Sequence, residues 1–395
     1  MTTPRSLVLT DIRSRVDAVR DEIVTVRRDI HANPELGWHE ERTTRVLRDR
    51  LIAAGLSPQV LPTGTGLICD VGSGDTCVAL RADIDALPVA EAVDAPYRSR
   101  NAGVMHACGH DVHAAALLGA GLVLAGMAAD GILDRRVRLI FQPAEEVMPG
   151  GALGVIAAGG LEGVHRIYAL HCDPRLDTGQ VGLRVGALTA AADRVLVRVL
   201  GPGGHTSRPH LTADLVHALA TLVSQLPAAL SRRLDPRAAA TLVWGRVTAG
   251  AAANAIPARG EAEGTIRCLD LTVWKEAAEL IPELAAQLVA PYGVDIDTEV
   301  THGVPPVMND TLAIDVIRHA VDQTLGPAAV ASTDQSLGGE DFAWYLEHVP
   351  GAMARLGVRT PGIERVPDLH TPEFTPDESA IAIGTTLLTT TALLD

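Results

Sequence analysis

The amino-acid sequence predicts an α/β fold, in which a mostly parallel sheet flanked by helices is interrupted by an inserted ferredoxin-like α+β domain. Apolar segments alternate with helical patterns in the first half, which indicates parallel strands covered by helices. A βαββαβ order follows, which is typical of a ferredoxin-like domain. Because 395 residues exceed one ordinary core, we expect residues 1–186 and 302–395 to form one domain and residues 187–301 an insert.

Hydrophobic periodicity gives the individual elements. In the first domain we predict helices at 11–31, 38–55 and 111–129 and strands at 77–82, 137–142 and 166–170. In the insert we predict strands at 192–200, 239–248, 259–268 and 295–300 and helices at 213–230 and 271–290. Asp111, near the start of the third helix, is a candidate N-terminal cap.

Polar residues collect where three predicted strands stop. The first strand runs into Asp83 and Asp85, the second into Glu145 and Glu146, and the third ends at His171. In open parallel sheets, ligands bind beyond the carboxyl ends of the strands. We therefore expect these side chains to form one site at one edge of the sheet.

The bulk composition excludes several classes of protein. A formal net charge of −15 and no block of Lys and Arg argue against nucleic acid as a partner. The five cysteines are irregularly spaced, so we predict no disulfide framework. We find neither a signal-peptide pattern nor an apolar stretch of about 18 residues. We therefore expect a cytoplasmic protein with no membrane span.

The segment from Met105 to His113 holds Cys108 and His110 among further histidines. Thiolate and imidazole both suit zinc and similar metals, and residues two apart project to the same side of an extended segment. The alternative is a small buried cysteine beside histidines that start a helix.

Two pairs of acids extend the metal hypothesis. Glu145 and Glu146 point in opposite directions if the backbone is extended, so one can hold a metal while the other faces a water. The alternative is a solvated surface pair. Of Asp83 and Asp85, one can orient a metal-bound imidazole and the other can pair with Arg81, although a cap or turn role is equally open.

Four further residues carry weaker signals. His370 lies in a loop, and His205 follows a glycine-rich turn of the insert, where an imidazole can donate to a developing oxyanion. Asn254 and Arg267 lie in or beside predicted strands, and Arg267 has the fork geometry that pairs with a carboxylate. For each of these residues a turn or an exposed sheet face is the alternative.

Six motifs, in consistent order from about residue 20 to 385, resemble the aminoacylase and carboxypeptidase family of co-catalytic metallohydrolases. The resemblance is closest to the branch with hippurate hydrolases, N-acyl-L-amino-acid amidohydrolases and auxin-conjugate hydrolases. The motifs are the segments 28–37 (RDIHANPELG), 80–88 (LRADIDALP), 106–113 (HACGHDVH), 141–146 (FQPAEE), 203–210 (GGHTSRPH) and 338–342 (GGEDF).

This resemblance implies two divalent metal ions, of zinc, manganese, cobalt or nickel. The residues at the branch's ligand positions are Cys108, His110, Glu146, His171 and His370. Cys108 is expected to bridge the metals, while Asp83 stands where other branches carry a histidine ligand and is not assigned as one.

The resemblance also implies roles around the metals. Glu145 falls at the general acid/base position and Asp85 at the position that orients the site. His205 falls at the position that reaches over the site from a lid and dimerisation domain, usually from the partner of a homodimer. Asn254 and Arg267 match positions that contact the carboxylate end of the substrate.

The implied activity is hydrolysis of the amide bond of N-acyl amino acids by a metal-activated water. A dipeptidase or carboxypeptidase with the same site is the alternative enzyme. A catalytically silent binding protein is the alternative from another class, although Glu145 and the ligands are all present. The loop from Val147 to Gly151 is less uniformly glycine-rich than in many relatives, which predicts a different acyl pocket.

Overall fold

A computed structural model describes residues 5–363 and 367–395 of the chain. It divides into two compact units. Unit 1 comprises Met1–Gly186, Met308–Asp334 and Asp341–Asp395, and unit 2 comprises Ala187–Val307 and Gln335–Glu340. Unit 2 thus runs six residues past the predicted end of the insert at 301 and includes a short segment from the third part of the chain. The boundaries 1–186, 187–301 and 302–395 stay a prediction about folding domains.

The α-helices and strands of the described residues follow in chain order. The helices are α1 Arg5–Ala32, α2 Glu41–Ala53, α3 His110–Ala129, α4 Ala152–Ala157, α5 Leu215–Arg233, α6 Leu271–Val289, α7 Thr311–Thr324, α8 Ala343–Leu346 and α9 Ser379–Leu394. The strands are β1 Gln59–Val60, β2 Leu67–Val71, β3 Cys77–Asp83, β4 Arg136–Gln142, β5 Val164–Asp177, β6 Val181–Leu183, β7 Gly186–Ala187, β8 Ala191–Leu200, β9 Gly204–His205, β10 Thr241–Ala249, β11 Ala255–Ile256, β12 Arg259–Cys268, β13 Asp295–Val304, β14 Met308–Asn309, β15 Val330–Ser332 and β16 Gly351–Arg359.

Unit 1 is built on one large sheet with the strand order β1-β2-β4-β3-β5-β16-β6-β15. Its four central strands, β4, β3, β5 and β16, are parallel, and antiparallel pairs join β2 and β6 to them. All seven residues of β3 are buried, as expected for a strand covered on both faces. The predicted α/β class with a mostly parallel core is therefore confirmed.

Helix α3 lies at the centre of unit 1. It packs against α1 and α9 and against the sheet. It is long and apolar enough to cross a membrane, but 72% of its most apolar window is buried inside the protein. An apolar helix surrounded by its own fold is a core helix, and its hydropathy reflects that burial.

Two predictions about unit 1 were wrong in detail. Strand β5 does not end at His171 but continues to Asp177, because β16 pairs with it as far as Arg359. Asp111 does not cap α3, because the N-cap position is occupied by Gly109, which has no side chain. The Asp111 carboxylate instead accepts from Arg27 at 2.6 Å.

Unit 2 contains the predicted βαββαβ order as β8, α5, β10, β12, α6 and β13. Its four-stranded sheet has the order β10-β12-β8-β13, and every pair is antiparallel. Burial alternates along β12, which indicates one face on the core and one face toward solvent. Helices α5 and α6 pack against each other and against the sheet, so the ferredoxin-like prediction is confirmed.

Candidate metal centre

A sharp turn at Gly109 separates Cys108 from His110. Gly109 has a φ of +86°, a conformation that favours glycine, and a Cβ there would lie 2.8 Å from the Cys172 sulfur. Both the backbone conformation and the lack of space therefore exclude a side chain. Cys108 ends the preceding segment, and His110 is the first residue of α3. The turn therefore places a thiol and an imidazole side by side in the buried interior of unit 1.

The ring of His110 is fixed by Asp85. Its Nδ1 lies 3.0 Å from the backbone oxygen of Asp85 and 3.1 Å from Asp85 Oδ1. Both partners are acceptors, so Nδ1 carries a proton and Nε2 is the nitrogen that can bind a metal. Nε2 is buried and has no hydrogen-bond partner among the described residues.

The Cys108 sulfur lies between two further histidines. His171 Nε2 is 3.5 Å from the sulfur, and His370 Nε2 is 3.3 Å from it. His171 donates from Nδ1 to the backbone oxygen of Cys172 at 2.8 Å, which again leaves Nε2 as the atom with a lone pair. His370 has a φ of +63°, a strained backbone conformation of the kind that clusters at functional sites.

The two glutamates reach the same place. Glu146 Oε1 is 3.2 Å from His370 Nε2, and oxygens of Glu145 and Glu146 each lie 3.9 Å from His110 Nε2. The backbone before them turns at Ala144, whose φ is +51°, and is not extended. The expectation that the two side chains point in opposite directions was therefore wrong, because the turn brings both carboxylates toward His110.

The electrostatics of the group follow from its burial. Burial lowers the pKa of His171 well below its ordinary value, and the charge of Arg355 lowers it further. Hydrogen bonds to Cys108 and Glu146 raise the pKa of His370 to about 10. Burial opposes a proton on His110, but the charges of Asp83 and Cys108, together with the hydrogen bond to Asp85, outweigh it and raise the pKa well above its ordinary value. Without a cation, the site therefore holds protons on His110 and His370.

These donors fit a metal. We call Cys108, His110, Glu146, His171 and His370 the open group. Two overlapping sets within it, Cys108 with His110 and His171 and Cys108 with Glu146 and His370, have ligand atoms within 4.8 Å of one another. His110 Nε2 is buried without a hydrogen-bond partner in the described part of the chain, which is costly unless a ligand completes it.

A second cluster lies beside the open group, and of its contacts only the pairing of an acid with Arg81 was predicted. We call Arg81, Asp83 and His113 the closed group. Arg81 donates to Asp83 Oδ2 at 2.7 Å, and His113 Nδ1 donates to Asp83 Oδ1 at 2.6 Å. His113 Nε2 accepts from the amide of Cys172 at 2.8 Å. Both nitrogens of His113 are thus used, so this cluster supports the metal group and does not itself offer ligands.

A buried network of charged residues behind the site was also not predicted. His31 contacts Asp111 Oδ2 through Nδ1 at 2.8 Å and Glu91 Oε1 through Nε2 at 3.1 Å. Arg27 joins it through Asp111. His31 lies in the first of the six motifs, and that was the available signal.

Three predicted site residues lie in unit 2. The ring Nδ1 of His205 accepts from the amide of Ser207 at 3.1 Å, which leaves Nε2 as the protonated nitrogen. Asn254 is exposed beside β11. Arg267, in β12, donates to the backbone oxygen of Leu337 at 3.0 Å. The ligand group, Glu145 and Asp85 all lie in unit 1.

The sequence matches Peptidase family M20/M25/M40 over residues 79–394. It is 37% identical to an N-acetyl-L-cysteine deacetylase of Bacillus subtilis, over 93% of this chain and 86% of that protein. It is 34% identical to an N-acyl-L-amino acid amidohydrolase of Geobacillus stearothermophilus, over 76% of this chain and 81% of that one. It is also 50% identical, over 95% of its length, to a putative glutamate–cysteine ligase 2-3 of Rhodococcus jostii. The chain spans 47% of the length of that relative.

Solved structures agree with the sequence match. A dinuclear metal-binding peptidase of the M20 family from Bacillus subtilis is 32% identical with a TM-score of 0.82, covering 95% of this chain and 98% of that one. A putative aminohydrolase from Staphylococcus aureus is 29% identical with a TM-score of 0.91, covering 98% and 99%. The chain belongs to the M20/M25/M40 family, and with it to the hydrolases that act on amide bonds.

Proposed function

We propose that this chain is a metal-dependent amidohydrolase that cleaves the amide bond of N-acyl amino acids or similar amino-acid conjugates. The observation that carries the proposal is the open group, in which donor atoms from five residues converge and His110 Nε2 is buried without a hydrogen-bond partner in the described residues. Glu145 lies beside that group, with an oxygen 3.9 Å from His110 Nε2. A carboxylate next to a metal group is the arrangement that metal-assisted hydrolysis needs.

The residues of the open group would hold two divalent cations. Cys108 is the proposed bridge, since it belongs to both overlapping sets of ligands. A related structure described as a dinuclear metal-binding peptidase supports the number of two. When bound, such a pair of cations lowers the pKa of water toward about 7 and polarises a carbonyl oxygen.

Glu145 is the proposed proton carrier. Its carboxylate takes the proton of the attacking water and delivers it to the nitrogen of the leaving amine. Asp85 orients the site from both sides, because one carboxylate holds His110 Nδ1 and the backbone amide of Glu146. His110 is thereby oriented with Nε2 as the nitrogen that can bind a metal.

The residues of unit 2 complete the proposal. His205 donates from Nε2 to the developing oxyanion, and Asn254 and Arg267 bind the carboxylate end of the substrate. We also propose that the protein forms a homodimer in which His205 acts at the site of the partner subunit, as the family resemblance implies. Light scattering tests this, because a strictly monomeric and fully active protein contradicts it.

The names of the relatives support the proposed substrate class. Two of them are named for removing acyl groups from amino acids, one from N-acetylcysteine and one from N-acyl-L-amino acids generally. A dipeptidase or carboxypeptidase remains the second candidate, favoured by the related structure that is described as a peptidase. We propose a cytoplasmic location, since all five cysteines are free thiols.

A side-by-side assay tests the proposal. Protein loaded separately with zinc, manganese, cobalt or nickel is given N-acetyl amino acids, N-benzoyl amino acids and dipeptides. We expect N-acyl amino acids to be hydrolysed, whereas exclusive cleavage of dipeptides overturns the substrate assignment.

Variants test the role of Glu145. We expect Glu145→Ala to keep its metal and lose turnover by roughly 10²–10⁴-fold. Glu279→Ala, at an exposed position of α6, is the matched control and should keep full activity. Near-normal turnover in purified Glu145→Ala contradicts the assignment.

A further inference from the structure

A buried carboxyl outside the open group, that of Glu40, contacts the turn that carries Glu145. Glu40 stands at the N-cap of α2, but its side chain makes no capping bond to the described residues of that helix. Glu35 does this instead, accepting from the amides of Arg42 at 2.9 Å and Thr43 at 2.7 Å. The fully buried Glu40 side chain therefore serves another part of the fold.

The partner of Glu40 is the backbone amide of Ala144, which donates to Glu40 Oε1 at 2.8 Å. With a φ of +51°, Ala144 adopts a left-handed conformation that is unfavourable for an L-residue with a side chain. Gly37 packs against the same residue, since a Cβ at Gly37 would lie 3.2 Å from Ala144 Cα. The strained turn is thus supported by the segment that contains Gly37 and Glu40.

Asp85 holds the other side of Glu145. Its Oδ2 accepts from the amide of Glu146 at 3.0 Å. The backbone amides of the residues immediately before and after Glu145 therefore each donate to a buried carboxyl group, and the two carboxyl groups come from different segments. The direction of the Glu145 side chain depends on both of these fixed points.

The position of Glu40 is costly for the fold. Burial, and after it the charge of Asp85, raises the pKa of Glu40 to about 7, against the opposing effect of the Ala144 amide. A buried acid that only filled space could be replaced by an apolar side chain of similar volume at no loss of stability. An acceptor for the Ala144 amide, in contrast, requires an oxygen at this point.

We propose that Glu40 is a positioning residue for the reaction, which fixes the Ala144 amide and thereby aims the Glu145 carboxylate. This inference rests on the proposed function, in which Glu145 carries the proton. The hydrogen bond of Glu40 goes to the backbone amide of Ala144 and not to a metal ligand or to Glu145. Glu40 therefore acts on the reaction only through the backbone of the turn.

Three variants of the full, metal-loaded chain test the inference on an N-acyl amino acid that the wild type hydrolyses. In Glu40→Met no acceptor remains, so we expect kcat to fall about 10–100-fold, with KM, metal content and melting temperature unchanged or the last raised. In Glu40→Gln the amide oxygen accepts from Ala144, so most of the wild-type kcat should return. Glu41→Ala, the exposed neighbour, is the control.

Several outcomes overturn the inference. A wild-type kcat in Glu40→Met shows that Glu40 only fills space, and an equal loss in Glu40→Gln and Glu40→Met shows that the acceptor is not what matters. If Glu40→Met does not fold, Glu40→Ala takes its place with the same expectations. A wild-type protein without amidase activity fails at the first step and overturns the proposed function itself, whatever the variants do.

Discussion

The open group and the closed group lie next to each other in unit 1, and both combine histidine with a carboxylate. The rings of His110 and His113, one from each group, have centroids 5.5 Å apart. Asp83, His110 and His113 even satisfy the distances expected of a metal site. Residue type and proximity therefore do not separate the two groups.

The hydrogen bonds do separate them. In the closed group Asp83 accepts from Arg81 and His113, and both nitrogens of His113 are in use. In the open group, His110 Nε2 is buried without a hydrogen-bond partner among the described residues. The metal centre thus differs from its support in having a buried donor atom that the fold has not already paired.

The largest expected effect comes from removing the shared sulfur of the open group. Cys108→Ala should lose bound metal and lower kcat/KM by roughly a thousandfold or more, because metal ions supply several kcal/mol of transition-state stabilisation. Metal analysis and steady-state kinetics measure both. Cys172→Ala, a neighbouring buried thiol outside the open group, should keep its metal. Full metal content in Cys108→Ala breaks the comparison.

The closed group should respond in stability. Asp83→Ala removes the buried partner of His113 Nδ1 and one of the two buried carboxylates that pair with Arg81, so we expect unfolding to become easier by about 3–5 kcal/mol. Thermal unfolding measures this, and Asp134→Ala, at a salt bridge whose acid is 83% exposed, is the control. The surviving folded protein should still bind metal. A folded Asp83→Ala variant that binds no metal would show that Asp83 is itself a ligand and belongs to the open group.

Glu40 gives a smaller effect of the opposite sign. Its pKa rises from 4.5 to about 7 on folding, so the folded state holds its proton more tightly than the unfolded state. The carboxyl therefore costs no stability below pH 4.5, and the penalty grows to roughly 3 kcal/mol as the pH rises through 7. Glu40→Gln should accordingly melt higher than wild type at pH 8 and equally at pH 4.5. An equal difference at both pH values excludes this titration.

The smallest effect concerns protons in the open group. Hydrogen bonds to Cys108 and Glu146 raise the pKa of His370 to about 10 without a metal, so a cation displaces a proton at neutral pH. Metal affinity should then rise with pH, by up to about tenfold per unit for each proton released. Chelator competition at pH 6.5, 7.5 and 8.5 measures it, and His370→Ala should flatten the dependence. A metal affinity that does not change with pH would show that no proton leaves His370 when the metal binds.

Much of the fold was predictable, because apolar periodicity is a local signal. The predicted strand 259–268 coincides with β12, and the predicted helix 271–290 differs from α6 by one residue. The end of β5 was not predictable, since its continuation past His171 depends on pairing with β16, which lies far away in sequence.

The site divides in the same way. The acids after β3 and β4 and the Cys108–His110 pair carry local signals, while His370 sits in a loop and entered only through the family resemblance. The pairing of an acid with Arg81 was expected, since Asp83 lies two residues from it. The bonds of Asp83 to His113 and of Glu40 to Ala144 join residues 30 or more positions apart. No pattern in a single sequence reveals these distant pairings.

The insertion of unit 2 between β5 and β16 has a consequence for synthesis. His171 and His370 are separated by the whole of unit 2, so a ribosome adding roughly 5–20 residues per second takes about 10–40 s to pass from one to the other. During that interval the edge of β5 that β16 will cover is unpaired, and the apolar helix α3 lacks its neighbour α9. The nascent chain is thus a candidate client for chaperones until its last helix emerges.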